Sequence, residues 1–441
     1  MTRHLAWEIL RSGSDTPTRL VSPVADREGL DPRDRGLLRR IVGTDVRRRA
    51  TLNAMLRVLA RGKPNRDLAA ILRVGLVQLY FMDQIPDHAA VSETMRASTE
   101  LLGPAKAKYV NAVLREAIRR RRTGHSGNPK RDLIGRDLHF ADDLFRDPEE
   151  HPYLWAEDAL SMPSALVKRW DKRYGRERAF AMCADALQEP PLSIRCVGVP
   201  RETVASEFVI HEVLTHRGKH KAFLLAAAAD TGAVVGSEAF RSGRISVQGE
   251  AALRAAELAN AHAGERWLDL CAAPGGKAAV LAAGGASVLA CDISEEKLER
   301  VRQTAERLGV LDRIETRLLE DGASPADTDF DGVFVDAPCS NTGVLAARPD
   351  ARWRFGPAQR RELGVLQTQL IEAGAERVRP GGALIWSTCS IEPEENGQLI
   401  RAFLQRHDDF ELESDHEILP EPGAPEGPVD GGFAARLKRR G

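Results

Sequence analysis

Two cysteines, Cys339 and Cys389, each follow an apolar run that reads as a buried strand, Phe330–Val335 and Ala383–Trp386. A cysteine at a strand end can present a thiolate, which is the nucleophilic form of the residue. On residue type alone either thiol could also be packed and inert. Three aspartates hold comparable places: Asp292 after Ser287–Cys291, Asp321 after Arg313–Leu318, and Asp336 after Phe330–Val335. A single Asp after a strand is usually a turn residue. Three at successive strand ends point to a site, because ligands of parallel sheets lie outside the carboxyl ends of the strands.

One more stretch belongs with them. Arg266-Trp267-Leu268 reads as a strand and Ala278–Ala283 as the start of a helix. Between them lies Asp269-Leu270-Cys271-Ala272-Ala273-Pro274-Gly275-Gly276-Lys277. A strand, a Gly-rich turn and a helix open a nucleotide-binding crevice. The glycines let the backbone approach a ligand, and the helix start offers unbonded N–H groups. The spacing is not G-x-G-x-x-G, which speaks against a dinucleotide.

These residues need a parallel sheet to place them. From about Phe240 onward, strands and helices alternate, which implies a parallel sheet covered on both faces. Ser294 is expected to cap a helix running to Leu308, and Pro357–Val378 reads as a long helix. Asp430–Lys438 reads as the last strand. Before residue 123 there is no strand signal. Helical spacing of apolar residues recurs through Leu37-Leu38-Ile41-Val42, Leu52-Met55-Leu56-Leu59 and Asp67–Met82 instead. His88 and Asn111 read as structural, Asn111 bonding backbone. Residues 123–150 are polar with scattered Gly and Pro and read as a linker. Residues 151–239 mix helical patterns with an alternating strand at Leu192–Val197, and Ala233–Val235 looks extended. The expected division is 1–122 all-helical, 123–150 linker, 151–239 small α+β, and 240–441 α/β.

Length and composition agree. At 441 residues two or three domains are expected. No apolar run is long enough to span a membrane, and Glu8 and Arg11 interrupt any signal-peptide core, so the expected location is the cytoplasm with no membrane partner. The six cysteines form no C-x-x-C pair, so no metal site is expected. Cys183, Cys196 and Cys291 sit in apolar surroundings and read as small core residues. The net charge of −1 hides an asymmetry. Residues 1–123 hold 24 basic and 13 acidic side chains, a surplus of eleven, and the remainder carries −12. A basic head on an acidic body suggests a polyanionic partner.

The Gly-rich stretch, together with Asp336-Ala337-Pro338-Cys339-Ser340-Asn341-Thr342-Gly343, Arg348-Pro349-Asp350 with Arg352-Trp353, and Ser387-Thr388-Cys389-Ser390, resembles the RNA cytosine-5 methyltransferases. The N-terminal stretches Leu72-Arg73-Val74-Gly75, Ile85-Pro86-Asp87-His88-Ala89-Ala90-Val91 and Val110-Asn111-Ala112-Val113-Leu114-Arg115 resemble the NusB fold. Together they are similar to the members that act on 16S ribosomal RNA. A transfer RNA methyltransferase, or an RNA-binding assembly factor without activity, are the alternatives.

The resemblance implies a fold: an all-α NusB-like head, a small α+β domain and an α/β Rossmann-like methyltransferase domain. It implies S-adenosyl-L-methionine held by Cys271, Ala272, Ala273, Pro274, Gly275, Gly276, Lys277, Asp292, Asp321 and Asp336. Asp292 would accept from ribose hydroxyls, and Asp321 would reach the adenine amino group or the methionine amine. Cys389 would be the nucleophile, Cys339 would assist its release, and Asp336 would hold the nitrogen 3 edge of the cytosine. The partner would be ribosomal RNA, as unassembled 16S rRNA, met by a monomer. Two positions depart from the family pattern: Asn341, often glycine, and Gln248-Gly249-Glu250, where an acidic residue commonly follows the glutamine.

Overall fold

The structure is a computed structural model that describes residues 1–319, 325, 327–424 and 427–441. The chain forms two compact units. One holds Met1–Gln188 with Arg348–Phe355, and the other holds Glu189–Ala347 with Gly356–Gly441.

The first unit is helical. Its longest helix, Pro32–Leu59, begins with Asp31 accepting from Asp34 N, and Asn65 caps Arg66–Phe81 in the same way. The second of these helices is buried along Ala70–Tyr80, as its nearly continuous apolar sequence requires. Helices Asp87–Leu102 and Pro104–Arg120 follow. Asn111 bonds the side chain of Arg115 rather than backbone. The expected linker is ordered: β1 (Arg121–Thr123) pairs antiparallel with β2 (Leu138–Phe140). The polar stretch carries enough apolar groups to anchor it, since Leu133, Phe140, Leu144 and Phe145 are buried. Three further helices, Pro152–Ala159, Ser164–Tyr174 and Arg176–Asp185, belong to this unit. So does the single turn Ala351–Arg354. Its Arg352 is fully buried and donates to Ser161 O at 3.3 Å and Ala186 O at 2.7 Å. Trp353 Nε1 donates to Val46 O at 2.8 Å.

The second unit begins with a four-stranded antiparallel sheet of β3 (Leu192–Cys196), β4 (Thr215–Arg217), β5 (Phe223–Ala226) and β6 (Ile245–Val247), in the order β4-β5-β3-β6. Residues 231–235, expected to be extended, are a short helix. Strand propensity is a weak prior that packing overrides, and Val234 is spent on the core of this sheet.

The larger sheet holds β7 (Arg266–Asp269), β8 (Ser287–Asp292), β9 (Ile314–Leu318), β10 (Phe330–Asp336), β11 (Val378–Thr388), β12 (Phe410–Ile418) and β13 (Gly432–Arg439). Their order is β12-β13-β11-β10-β7-β8-β9. The five strands from β7 to β11 are mutually parallel, and β13 joins β11 antiparallel. From β7 the chain builds outward through β8 and β9, then crosses back to β10 and β11 on the other side of β7. That reversal makes a crevice at the carboxyl ends of β7 and β10.

Alternate side chains of β10 enter opposite cores: Val333 and Val335 pack on one face, Phe334 on the other. Helices Pro357–Ala375 and Gly397–Leu404 contribute to the first core, and Gly276–Ala283 and Glu295–Arg307 to the second. β12 has no apolar pattern to announce it, because six of its nine residues are exposed at the sheet edge and four of those are acids.

Candidate functional site

The Gly-rich turn is tied down by main-chain bonds to both neighbours of β7. Leu270 N donates to Phe334 O on β10 at 3.0 Å, and Ala272 N to Cys291 O on β8 at 2.9 Å. Gly275 closes the turn with φ 97°, a left-handed conformation that side chains disfavour. A Cβ there would also meet Val301 Cα at 3.0 Å. Gly276 then opens helix Gly276–Ala283, whose first amides have no partner within the helix. The Gln248 amide lies against Gly276: a Cβ on that glycine would sit 3.4 Å from Gln248 Nε2.

Three carboxylates end three adjacent strands. Asp292 ends β8, is nearly buried, and meets Lys297 Nζ at 3.1 Å. Asp336 ends β10. Its Oδ2 meets Lys277 Nζ at 2.5 Å, and its Oδ1 accepts from Ser387 Oγ at 3.1 Å. Asp269 ends β7 and is fully enclosed. Burial, then the nearby Asp336 charge, pushes its carboxyl up to about 7. Sequence reasoning placed Asp269 in the turn motif but gave it no role. Asp321 lies outside the described residues.

The two cysteines come together. Cys339 lies three residues past Asp336 and Cys389 directly follows β11, and strands β10 and β11 pair with Asp336 beside Ser387. Cys339 Sγ is 3.1 Å from Cys389 Sγ. The hydrogen bond with Cys389, then burial, pushes the Cys339 thiol well up. Burial, then the Asp269 charge, also pushes the Cys271 thiol up, which keeps it protonated and unreactive.

A polar network holds the two cysteine loops in register. Ser340 Oγ meets Ser390 Oγ at 3.0 Å, and Gly343 N donates to Cys389 O at 3.0 Å. Glu395 Oε2 accepts from Ser340 N at 2.9 Å and from Gln367 Nε2 at 3.1 Å. Burial pushes the Glu395 carboxyl up. Asn341 spans the pair: its Nδ2 donates to Cys339 O at 2.7 Å, and its Oδ1 lies 3.2 Å from Cys389 Sγ. Glu395 and Gln367 carried no sequence signal: Gln367 is a single polar residue on a long helix, and Glu395 is one of several acids that follow the Ser387–Ser390 stretch.

Residues 256–422 match the family described as 16S rRNA methyltransferase RsmB/F, and residues 2–119 match the NusB family. The ribosomal RNA small subunit methyltransferase B of Yersinia pseudotuberculosis serotype O:1b (strain IP 31758) is 34% identical over 353 residues, covering 78% of this chain and 74% of its own. The chain belongs to the RsmB/F family of methyltransferases. The family relative named "Probable ribosomal RNA small subunit methyltransferase B" in Bacillus subtilis (strain 168) is 29% identical over 422 residues, covering 92% of this chain and 88% of its own. Among solved structures, PH0851 matches with a TM-score of 0.76 at 22% identity, covering 100% of this chain and 99% of that one. NSun6 from Pyrococcus horikoshii with SFG matches with a TM-score of 0.52 at 18% identity, covering 63% and 98%. These structural likenesses show the fold.

Members of the RsmB/F family depend on S-adenosylmethionine, and the residues present here fit that group. Among the described residues, Asp269 Oδ2 and both amide atoms of Gln248 are buried without a hydrogen-bond partner. Buried polar atoms are seldom left unpaired, and these flank the Gly-rich turn. An α-amino acid end, with an ammonium that donates and a carboxylate that accepts, matches them in kind. The nearly buried Asp292 carboxylate suits a ribose diol.

Proposed function

We propose that this methyltransferase modifies carbon 5 of a cytidine in 16S ribosomal RNA through a transient bond between Cys389 and the base. The observation that carries the reading is the 3.1 Å approach of Cys339 Sγ to Cys389 Sγ, beside an Asp336 carboxylate held by Lys277 and Ser387. One thiol would serve an inert core, and one would serve simple nucleophilic catalysis. Two thiols in contact at strand ends suit a reaction that must attach to a ring and later detach from it. Names of the relatives support the RNA class. The need to unstack the target base favours unassembled RNA in the cytoplasm.

Carbon 5 of cytosine is a weak nucleophile. Addition of the Cys389 thiolate at carbon 6 makes it an enamine. At nitrogen 3 the addition would be supported by Asp336, which the resemblance assigns to holding or protonating that edge. Lys277 and Ser387 fix both carboxylate oxygens, so the group is oriented before substrate arrives. S-adenosylmethionine, when bound, supplies an electrophilic methyl to carbon 5. Cys339, once its own proton has passed to solvent, takes the proton from carbon 5 as a thiolate, the electron pair reforms the 5,6 double bond, and Cys389 leaves as thiolate. The raised affinity of the Cys339 sulfur for a proton makes its thiolate a strong base for that step. Cys271, Ala272, Ala273, Pro274, Gly275 and Gly276 form the cofactor turn, with Lys277, Asp292 and Asp336 as its polar partners. Asp321 stands in the same proposal on sequence grounds.

The test is to incubate the protein with unmethylated 16S rRNA and methyl-labelled S-adenosylmethionine, then digest to nucleosides. The expected label is in 5-methylcytidine. Label in another nucleoside, or none with folded protein, contradicts the proposal.

A further inference from the structure

Asn341 does more than turn the chain. It stands at φ 61°, ψ 24°, a left-handed conformation that asparagine tolerates better than most residues. Its buried side chain folds back so that one amide serves both cysteine loops. The end bearing Nδ2 donates to Cys339 O at 2.7 Å. This bond fixes which end is which, because a flipped amide would set two acceptors against each other. The other end, Oδ1, is therefore presented to Cys389 Sγ at 3.2 Å. A carbonyl oxygen can only accept. It stabilises the thiol, whose S–H it receives, and opposes the thiolate, whose charge it faces.

We propose that Asn341 holds Cys389 in its protonated form in the resting protein and sets the pH at which this sulfur becomes a nucleophile. The inference rests on the reading of Cys389 as the attacking group, but concerns the acidity of its thiol. Other titratable groups near this sulfur act alongside it. Cys339 touches Cys389 directly. Glu395 acts on Cys339 through its charge and through the Ser340 amide. The Asp336–Lys277 pair reaches the loop through Ser387. None of these replaces an acceptor fixed at 3.2 Å from the sulfur.

The experiment measures the rate of iodoacetamide alkylation of Cys389 against pH, with peptide mapping to follow this residue alone. Cys339→Ala serves as the common background, so that only one of the paired thiols reacts. Asn341→Gly removes the acceptor and keeps a residue suited to the left-handed turn. Asn341→Asp puts a charged acceptor in reach of the sulfur while giving up the donation to Cys339 O. The expected result is a profile moved to lower pH for Asn341→Gly, with about two- to tenfold faster alkylation at neutral pH, and a profile moved to higher pH for Asn341→Asp. Superimposable profiles for Asn341→Gly and its parent overturn the inference. So does a shift of both variants in one direction, which would mean that the loop is merely loosened. Neither result touches the covalent mechanism, which fails separately if Cys389→Ala still forms product.

Discussion

Lys277 Nζ lies 2.5 Å from Asp336 Oδ2, so the first turn of helix Gly276–Ala283 and the end of β10 share one ion pair. The same carboxylate accepts from Ser387 on β11. The Gly-rich turn and both cysteine loops are thus keyed to one side chain. Replacing it with an amide should damage chemistry more than cofactor binding. Asp336→Asn is expected to lower turnover by about 100-fold or more, in the range of a lost acid–base group, while cofactor affinity changes by only a few-fold. Labelled-methyl transfer and calorimetry measure the two. Equal losses in both would assign Asp336 to the cofactor alone.

Asp292 presents a nearly buried carboxylate at the end of β8. Asp292→Ala should weaken S-adenosylmethionine binding by about 1.5–3 kcal/mol, the value of hydrogen bonds to a charged group. Calorimetry on the folded variant checks this, and an unchanged Kd rules out the ribose role.

Asp269 should make the cofactor-free protein sensitive to pH. Burial raises its carboxyl to about 7 in the folded state, against about 3.9 in an unfolded chain. The unfolded chain therefore releases this proton first as pH rises. The contribution is fully stabilising below about pH 4, fades as pH climbs toward 7, and is gone above it. The change is on the order of 4 kcal/mol. Urea unfolding from pH 5 to 8 should show wild type losing stability relative to Asp269→Asn. Parallel curves would mean that Asp269 stays ionised in the fold.

Much of this site was legible because its chemistry sits on short motifs at strand ends. The Gly-rich turn, Asp292, Asp336 and both cysteines fall where alternating strands and helices place them. The contacts between distant loops were not legible. Nothing near Glu395 in sequence says that it receives the Ser340 amide, since 55 residues separate them. Edge strand β12 was missed because it buries too little to need an apolar pattern. The motif around Arg352 was visible, but not its setting. It reads as one of the stretches shared with the methyltransferases, and its guanidinium is buried among backbone carbonyls of the helical unit.

That burial gives a stability prediction. Arg352→Ala leaves the Ser161 and Ala186 carbonyls without their donor. Each unpaired buried group costs about 1–3 kcal/mol. The variant should unfold at clearly lower urea than wild type, and Arg352→Lys should not restore it, because an ammonium lacks the planar fork. A midpoint equal to wild type for Arg352→Ala would show these bonds to be dispensable.

Two sulfurs 3.1 Å apart are assigned different steps of one reaction, and a trapping experiment separates them. Cys339→Ala and Cys389→Ala are each incubated with 16S rRNA and methyl-labelled S-adenosylmethionine, then run on a denaturing gel. Cys339→Ala should attack, receive the methyl and stall, giving a denaturant-resistant protein–RNA band that carries label. Cys389→Ala should give neither band nor product. A labelled band with Cys389→Ala and none with Cys339→Ala would reverse the roles, and full turnover by both variants would contradict the covalent account.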